Sequence, residues 1–450
     1  MRYAQQDFLD KTQDLSERLL EFALSHDAIT DAKVVINGCS EVKKTSDANA
    51  LTASSSGVTH EVKVILFSGL KCVTFSQGGM DEEALKTAIR DNADIIHLAP
   101  ENPYVALLPR EQLSTAASED LDLFDDSQVT GEDLTLYALA MAQSAAQQPQ
   151  ITVAESQVVG VTSHSAAVAS NGFKRYRPMT RYSAQAKAFA QSADGAEMES
   201  GYDYTCTRHF ADRVAPELIG REAVDMAVSS LGAIMPRAGK MPIVLNHDAA
   251  EQFFQNVYAA IDGTAVYRGK TFMKDKVGQK VMSESVTLVD DPRVKRGLSS
   301  MDIDSAGLLA KPIAFIESGI LKSFNINLME ARQLGLDPIG REDGPANTII
   351  LPGTQSPDEL IADIEYGIYI TAFHGGEVDV NDGKHSRQAQ GFVIQDGKIT
   401  EQAVNGFGVA GNLQDMFMNV VLANESLSLP SPRYDTVAPI TRINDVVIAV

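Results

Sequence analysis

At 450 residues, with 44% hydrophobic and 22% charged positions, the chain carries enough apolar mass for two or three globular cores. A formal net charge of -22 and the lack of any Lys/Arg-rich run argue against a phosphate-binding surface, so no direct nucleic-acid partner is expected. Cys39, Cys72 and Cys206 are far apart and form no CxxC pair. No window approaches the ~18 apolar residues of a membrane helix, and MRYAQQDFLDKTQ lacks the apolar core of a secretory leader, so a soluble cytoplasmic protein is expected, with no membrane partner.

In chain order, Phe8, Leu9, Thr12, Leu15, Leu19, Leu20 and Phe22 recur at helical spacing, which predicts a helix over 4–25. Strands follow at 33–37, at 58–67, where apolar and polar residues alternate, and at 71–76 after the break at Gly69. Asp81 caps a helix carrying Leu85, Ala88, Ile89 and Ile96. Pro100, Pro103 and Pro109 then mark a boundary. Beyond the acidic stretch 119–126, Thr130 and Asp133 form a capping-box pattern for a helix reaching about Ala146. Strands are expected at 151–156, 157–163 and 165–170, with a hairpin turn at Asn171-Gly172 and further strands at 182–190 and 202–208. A helix covers 218–231 behind Pro216. Helix, strands, helix thus occurs twice, so an internal duplication fits the pattern, although no sequence self-similarity proves it.

From Met241 onward β-structure dominates. Hairpins turn at Ser318-Gly319 and Asp396-Gly397, Ser356-Pro357-Asp358-Glu359 opens a helix, Asn412 caps another, and 444–450 reads as a buried final strand. The stretch 340–345, GREDGP, reads as a flexible loop. The fold class expected is α+β: an N-terminal α/β part of helices and antiparallel strands and a C-terminal domain rich in antiparallel sheet, in units 1–98, 110–232 and 240–450.

The segment with most chemistry runs from Ile243: IVLNHDAAEQFFQNVYAAIDGTAVYRGKTF, a short apolar strand leading into an amphipathic helix at His247. Together with Ser170-Asn171-Gly172-Phe173, Ile219-Gly220-Arg221-Glu222-Ala223, Ala331-Arg332-Gln333-Leu334-Gly335 and Gly411-Asn412-Leu413-Gln414-Asp415-Met416-Phe417, it closely resembles the TldD/PmbA family of peptidases. The resemblance extends over nearly the whole chain. In the TldD-type member the helix carries HExxxH, two histidines holding zinc and the glutamate serving as general base. Here the six positions read His247-Asp248-Ala249-Ala250-Glu251-Gln252, and the family's third ligand, a C-terminal cysteine, has no counterpart after Cys206. The resemblance is therefore to the PmbA (TldE, "modulator of DNA gyrase") type. It implies a non-catalytic subunit with no cofactor of its own, a TldD-type partner subunit that carries zinc, and unfolded peptides as substrate; a homodimer is left open.

Elementary coordination chemistry agrees with that implication. A catalytic zinc takes three ligands from His, Cys, Asp and Glu, while Gln offers only a neutral amide oxygen. Residues five apart on a helix are separated by ~140°, which opposes shared ligation by His247 and Gln252. Asp248 suits a helix N-terminus through the macrodipole. An alternative metal site would use His374, His385 and Glu377, around the Asp382-Gly383 turn, although the spacing matches no recognised ligand pattern. Two other functions stay open at this point: an independent metallopeptidase with a rebuilt site, or a peptide-binding protein without peptidase activity.

Overall fold

The structure is a computed structural model that describes residues 2–116, 118–425 and 427–450, without the side chains of residues 2–9. Phe8 and Leu9, expected on the inner face of the first helix, lie outside the described side chains.

The N-terminal part contains α1 (Arg2–Leu24), β1 (Asp31–Asp47), β2 (Leu51–Ser68), β3 (Lys71–Gly78) and α2 (Glu82–Ile95), then α3 (Gly131–Ala145), β4 (Ile151–Ala169), β5 (Lys174–Gln191), β6 (Met198–Thr207) and α4 (Pro216–Ser229). Helix, three strands and helix occur twice, and the two sets join into one antiparallel sheet of order β3-β2-β1-β4-β5-β6. The join is the long β1–β4 ladder, from Lys33↔Ala169 to Asp47↔Glu155. Alternation places even-numbered residues on one face. Val34, Ile36, Val62 and Val64 bury there with residues of α1 and α2, and Ala184, Ala186 and Ala188 with residues of α3 and α4.

The small side chains of β5 and two glycines let the second pair of helices approach closely. A Cβ on Gly201 would lie 2.2 Å from the Ala223 carbonyl oxygen of α4, and one on Gly220 would lie 2.4 Å from that of Met141 in α3. Neither neighbour is a movable side-chain tip. Gly201→Ala should therefore push α4 off β6 and lower stability by about 1–3 kcal/mol, which a thermal melt beside the wild type will show.

One expectation fails here. Three short strands were anticipated across 151–170, whereas β4 is a single strand of 19 residues. The expected breaks at 156/157 and at 164 are absent; Gly160, inside the middle strand expected, sits where Leu134 of α3 presses on the sheet, 3.2 Å from an added Cβ. It is a packing glycine inside a strand.

The C-terminal part begins with β7 (Gly239–Leu245), α5 (His247–Ala260), α6 (Gly263–Tyr267), β8 (Leu288–Asp291), β9 (Ile313–Glu317), β10 (Ile320–Leu321) and α7 (Leu328–Leu334). It continues with β11 (Asn347–Ile350), α8 (Pro357–Ile361), β12 (Tyr366–Asp379), β13 (Lys384–Gln395), β14 (Lys398–Asn412), α9 (Leu413–Met418), β15 (Val420–Leu422), β16 (Thr436–Val437) and β17 (Thr441–Ala449). A sheet of order β14-β13-β12-β7-β17-β15 curls until β14 meets β17 at Val409↔Ile448, closing a ring of strands. A second sheet has the order β10-β9-β8-β11-β16. The ladders are antiparallel, as expected, except β7–β12 and β11–β16, which are parallel. Phe253, Phe254 and Val257 of α5 belong to the large core shared by the ring and the second sheet.

The GREDGP stretch is not a free loop. Arg341 is 1% exposed. Its Nε donates to Asp290 Oδ1 at 2.6 Å and its Nη2 to the Lys311 carbonyl at 2.7 Å. A buried aspartate in β8 overrides the glycine-rich composition.

Candidate functional site

Strand β7 ends between β12 and β17 and turns at once into α5. Asn246 makes the turn: its N–H donates to the Ile370 carbonyl at 3.0 Å and its Oδ1 accepts from Ala249 N at 2.9 Å. This delivers His247 and Asp248 to the first helical turn, with Glu251 and Gln252 one turn on. A cavity of ≈ 550 Å³ opens over His247, Asp248 and Glu251, lined also by Asp203, Glu222 and Tyr434. A neighbouring cavity of ≈ 360 Å³ shares Asp203, Glu222 and Asp248 and continues past Thr371 and Gln390. The two make a cleft of acidic lining between α4 and β6 on one side and the ring of strands on the other.

Each motif residue is held by its neighbours. His247 is exposed; its Nδ1 lies 2.9 Å from the Ala438 carbonyl oxygen and its Nε2 3.4 Å from Glu425 Oε1. Asp248 Oδ1 accepts from the Tyr434 hydroxyl at 2.5 Å. Burial, followed by the Asp248 charge, raises the Tyr434 pKa, so the phenol keeps its proton. Tyr434 also packs edge-on against Tyr204 of β6, ring centroids 5.4 Å apart. Beside it Arg433 grips Asp203 with two bonds, Nη2 at 2.6 Å and Nε at 3.2 Å. Residues 427–440 are thereby tied both to α5 and to the edge of the N-terminal sheet.

Glu251 differs from the rest. It is 7% exposed, and Gln255 Nε2 donates to its Oε1 at 3.0 Å. Burial above all, then the charges of Asp435 and Asp248, pushes its pKa up to about 8. A pKa raised this far favours the protonated acid at neutral pH, able to donate a hydrogen bond.

The other candidates lie apart. His385 is 1% exposed, with Nδ1 3.2 Å from the Val409 carbonyl oxygen, and burial pushes its pKa down to about 4. His374 is exposed and bonds Gln390 at 2.8 Å, and Glu377 is exposed with Lys384 at 3.5 Å. His385 pairs across the hairpin with Val378 and His374 with Gln388, so the imidazoles are offset along the ladder rather than facing each other. Among the described residues no group of three or more His, Cys, Asp and Glu side chains is placed to hold a metal ion. The residues at 247–252 do not fit a catalytic zinc: one imidazole is engaged by Ala438 and Glu425, one carboxylate by a phenol, and the last position is an amide.

Two family models match this chain: the PmbA/TldA metallopeptidase central domain over 124–231 and the PmbA/TldA metallopeptidase C-terminal domain over 238–450. The cleft at the end of β7 and the residues within 427–438 that line it thus belong to a metallopeptidase-class fold, and the chain is a member of the PmbA/TldD family. Within that family it is 27% identical over 359 residues to the Metalloprotease PmbA of Escherichia coli O157:H7, covering 79% of each chain. It is 31% identical over 242 residues to a PmbA homolog of Buchnera aphidicola, about half of each chain at 54%. To a TldD homolog of Haemophilus influenzae it is 29% identical over 46% of each chain. Among the crystal structures that share the fold are two at low sequence identity. One, from Bacteroides thetaiotaomicron and described as a modulator of DNA gyrase, has a TM-score of 0.90 at 22% identity, covering 98% of this chain and 99% of that one. The other is TldE from Thermococcus kodakarensis, TM-score 0.80 at 18% identity, covering 97% and 100%.

Sequence reasoning missed Glu425, Arg433 and Tyr434. The segment holding them is polar and contains Pro430, Pro432 and Pro439, the composition of an ordinary loop. The unusual state of Glu251 did have a signal: it sits between Ala250 and Phe253-Phe254, on the helix face expected to bury.

Proposed function

We propose that this chain is the PmbA (TldE)-type, non-catalytic subunit of a two-subunit metallopeptidase, whose zinc and general base belong to a TldD-type partner. The carrying observation is the state of the motif helix, where His247, Asp248 and Glu251 are all engaged or neutral and Gln252 replaces a ligand. Its contribution is then to shape the space in which unfolded peptide meets the partner's zinc. The cleft suits that task. It is open, and β6, an edge strand of its sheet, brings Tyr202 and Asp203 to its wall. An extended peptide can add to such an edge through its backbone, which selects for unfolded chains rather than for side chains. As a cytoplasmic protein of the reducing compartment it would meet such peptides directly; no helix among the described residues is long and apolar enough to cross a membrane.

Elemental analysis of the purified chain after dialysis against zinc is the test. Less than one-tenth equivalent of retained zinc is expected. Stoichiometric zinc, lost on His247→Ala or on His385→Ala, would turn the reading into that of an independent metallopeptidase.

A further inference from the structure

A further cavity, of ≈ 320 Å³, lies on the other face of the N-terminal sheet and shares no lining residue with the cleft. Alternation turns Lys33 and Ile65 away from α1 and α2, and the ladders set Thr74, Ile65, Lys33 and Ala169 in one row across β3, β2, β1 and β4. Residues 104–108 and the start of α7 complete the walls. The covering segment is fixed. Arg332 donates to the carbonyls of Tyr104 at 3.1 Å, Ala106 at 2.7 Å and Leu107 at 2.9 Å, and Asn171 Nδ2 donates to that of Leu108 at 2.8 Å. Phe67, Phe173 and Met329 give the space an apolar interior. Thr74 and Ala106, which also line it, are exposed, so it opens to water.

Two side chains of opposite charge line this space. Lys33 Nζ donates to the Ser305 carbonyl at 2.5 Å and stands 5.7 Å from the centroid of the Phe173 ring. Glu342 Oε2 accepts from the Leu328 N–H at 2.8 Å. Among the described residues neither Lys33 nor Glu342 forms an ion pair, with each other or with a third group. The other carboxylates nearby are occupied. Asp304 accepts from the N–H groups of Ala306, Gly307, Leu308 and Glu342, and Asp343 accepts from the Ser305 N–H and pairs with Arg175 at 3.7 Å. Burial lowers the Lys33 pKa and raises that of Glu342, and the charge of each only partly offsets the effect on the other.

We propose that this cavity binds a free apolar α-amino acid, its carboxylate on Lys33, its ammonium on Glu342 and its side chain among Phe67, Phe173 and Met329. The chemistry follows from the two unpaired charges. An anion alone would satisfy Lys33 and set a like charge near Glu342, and a cation alone would do the reverse. A zwitterion brings a counterion to each and adds no net charge to a partly buried space. Volume sets the size: ≈ 320 Å³ lies at the lower end of the ~300–1,000 Å³ typical of ligand cavities, which fits one amino acid rather than a peptide of several residues. The site stands on residues outside the cleft and does not depend on the function proposed above.

Titration calorimetry of the whole chain with L-phenylalanine tests this, beside phenylpropionate, phenylethylamine and glycine. One equivalent of phenylalanine should bind. Each of the other three should bind at least tenfold more weakly, having lost a charge-assisted hydrogen bond or the apolar body. Lys33→Met should weaken phenylalanine at least tenfold and erase its advantage over phenylethylamine. Glu342→Gln should erase its advantage over phenylpropionate. Circular dichroism identifies a variant that fails to fold, and either variant alone then carries the comparison. Bound phenylalanine should also slow alkylation of Cys72, which lines the cavity, and leave that of Cys39, which does not, unchanged. No saturable binding up to about 10 mM overturns the proposal. So does phenylpropionate binding as tightly as phenylalanine, which would make this a simple anion pocket. Phenylalanine binding that leaves Cys72 unprotected, or that keeps its strength in the folded variants, overturns it as well.

Discussion

Arg341→Met will destabilise the C-terminal domain by about 3–5 kcal/mol, the cost of leaving one partner of a buried ion pair alone. Both side chains are fully buried, with Arg341 Nε 2.6 Å from Asp290 Oδ1. Asp290 Oδ2 in turn accepts from the Ala346 N–H at 2.7 Å, and the Tyr258 hydroxyl, 2.6 Å from Thr348 Oγ1, stands beside it. The pair therefore fixes β8, β11 and the 340–346 segment together. Burial raises the Asp290 pKa and Arg341 opposes that rise, so losing the guanidinium drives the carboxyl further toward its neutral form. The deficit of Arg341→Met should accordingly be smaller at pH 5 than at pH 8. Adding Asp290→Leu should return part of the loss, since no unpaired charge then remains in the core. Urea unfolding midpoints of the two variants check both statements. A neutral single variant would mean that the 340–345 segment is a loop after all.

Glu251→Gln has the second large effect, and its signature is a pH dependence. In the folded chain the Glu251 pKa is raised to about 8 from an ordinary value of 4.5. The folded state thus holds a proton that the unfolded state has released, and stability falls as pH rises between those two values. A rise of that size amounts to about 4 kcal/mol between pH 5 and pH 9. Glutamine keeps the shape and the contact with Gln255 and does not titrate. The variant should match the wild type at pH 5 and exceed it at pH 9 by several kcal/mol. Parallel stability curves for the two proteins from pH 5 to pH 9 would refute the buried, protonated state of Glu251.

These two residues mark where the sequence was readable. Turn chemistry is local, and it was legible: Gly172, Gly319 and Gly397 all have positive φ at the hairpins expected from Asn-Gly, Ser-Gly and Asp-Gly pairs. Helix starts were equally clear, since Thr130 and Ser356 form the reciprocal caps their spacing announces. The motif at 247–252 was legible because a missing ligand is visible in the residue types themselves. What was hidden depends on residues far apart in the chain. Nothing near Lys33 announces its pairing with Ala169, nor does Ile243 announce a parallel partner in Ile368. Arg341 reads as a solvated loop residue until Asp290 is placed beneath it, and Tyr434 reads as linker until Asp248 is placed beside it. Gly160 shows the same limit inside a strand: its meaning comes from Leu134 of another element.

The measurement that bears most directly on the role of this chain is cleavage of an unfolded peptide by the purified protein, by a TldD-type subunit, and by their mixture. The account predicts no cleavage by this chain alone with zinc present, cleavage by the mixture, and loss of the mixture's activity when a zinc histidine of the TldD-type subunit is replaced, but not when His247 of this chain is. Zinc-dependent cleavage by this chain alone that His247→Ala abolishes would contradict it.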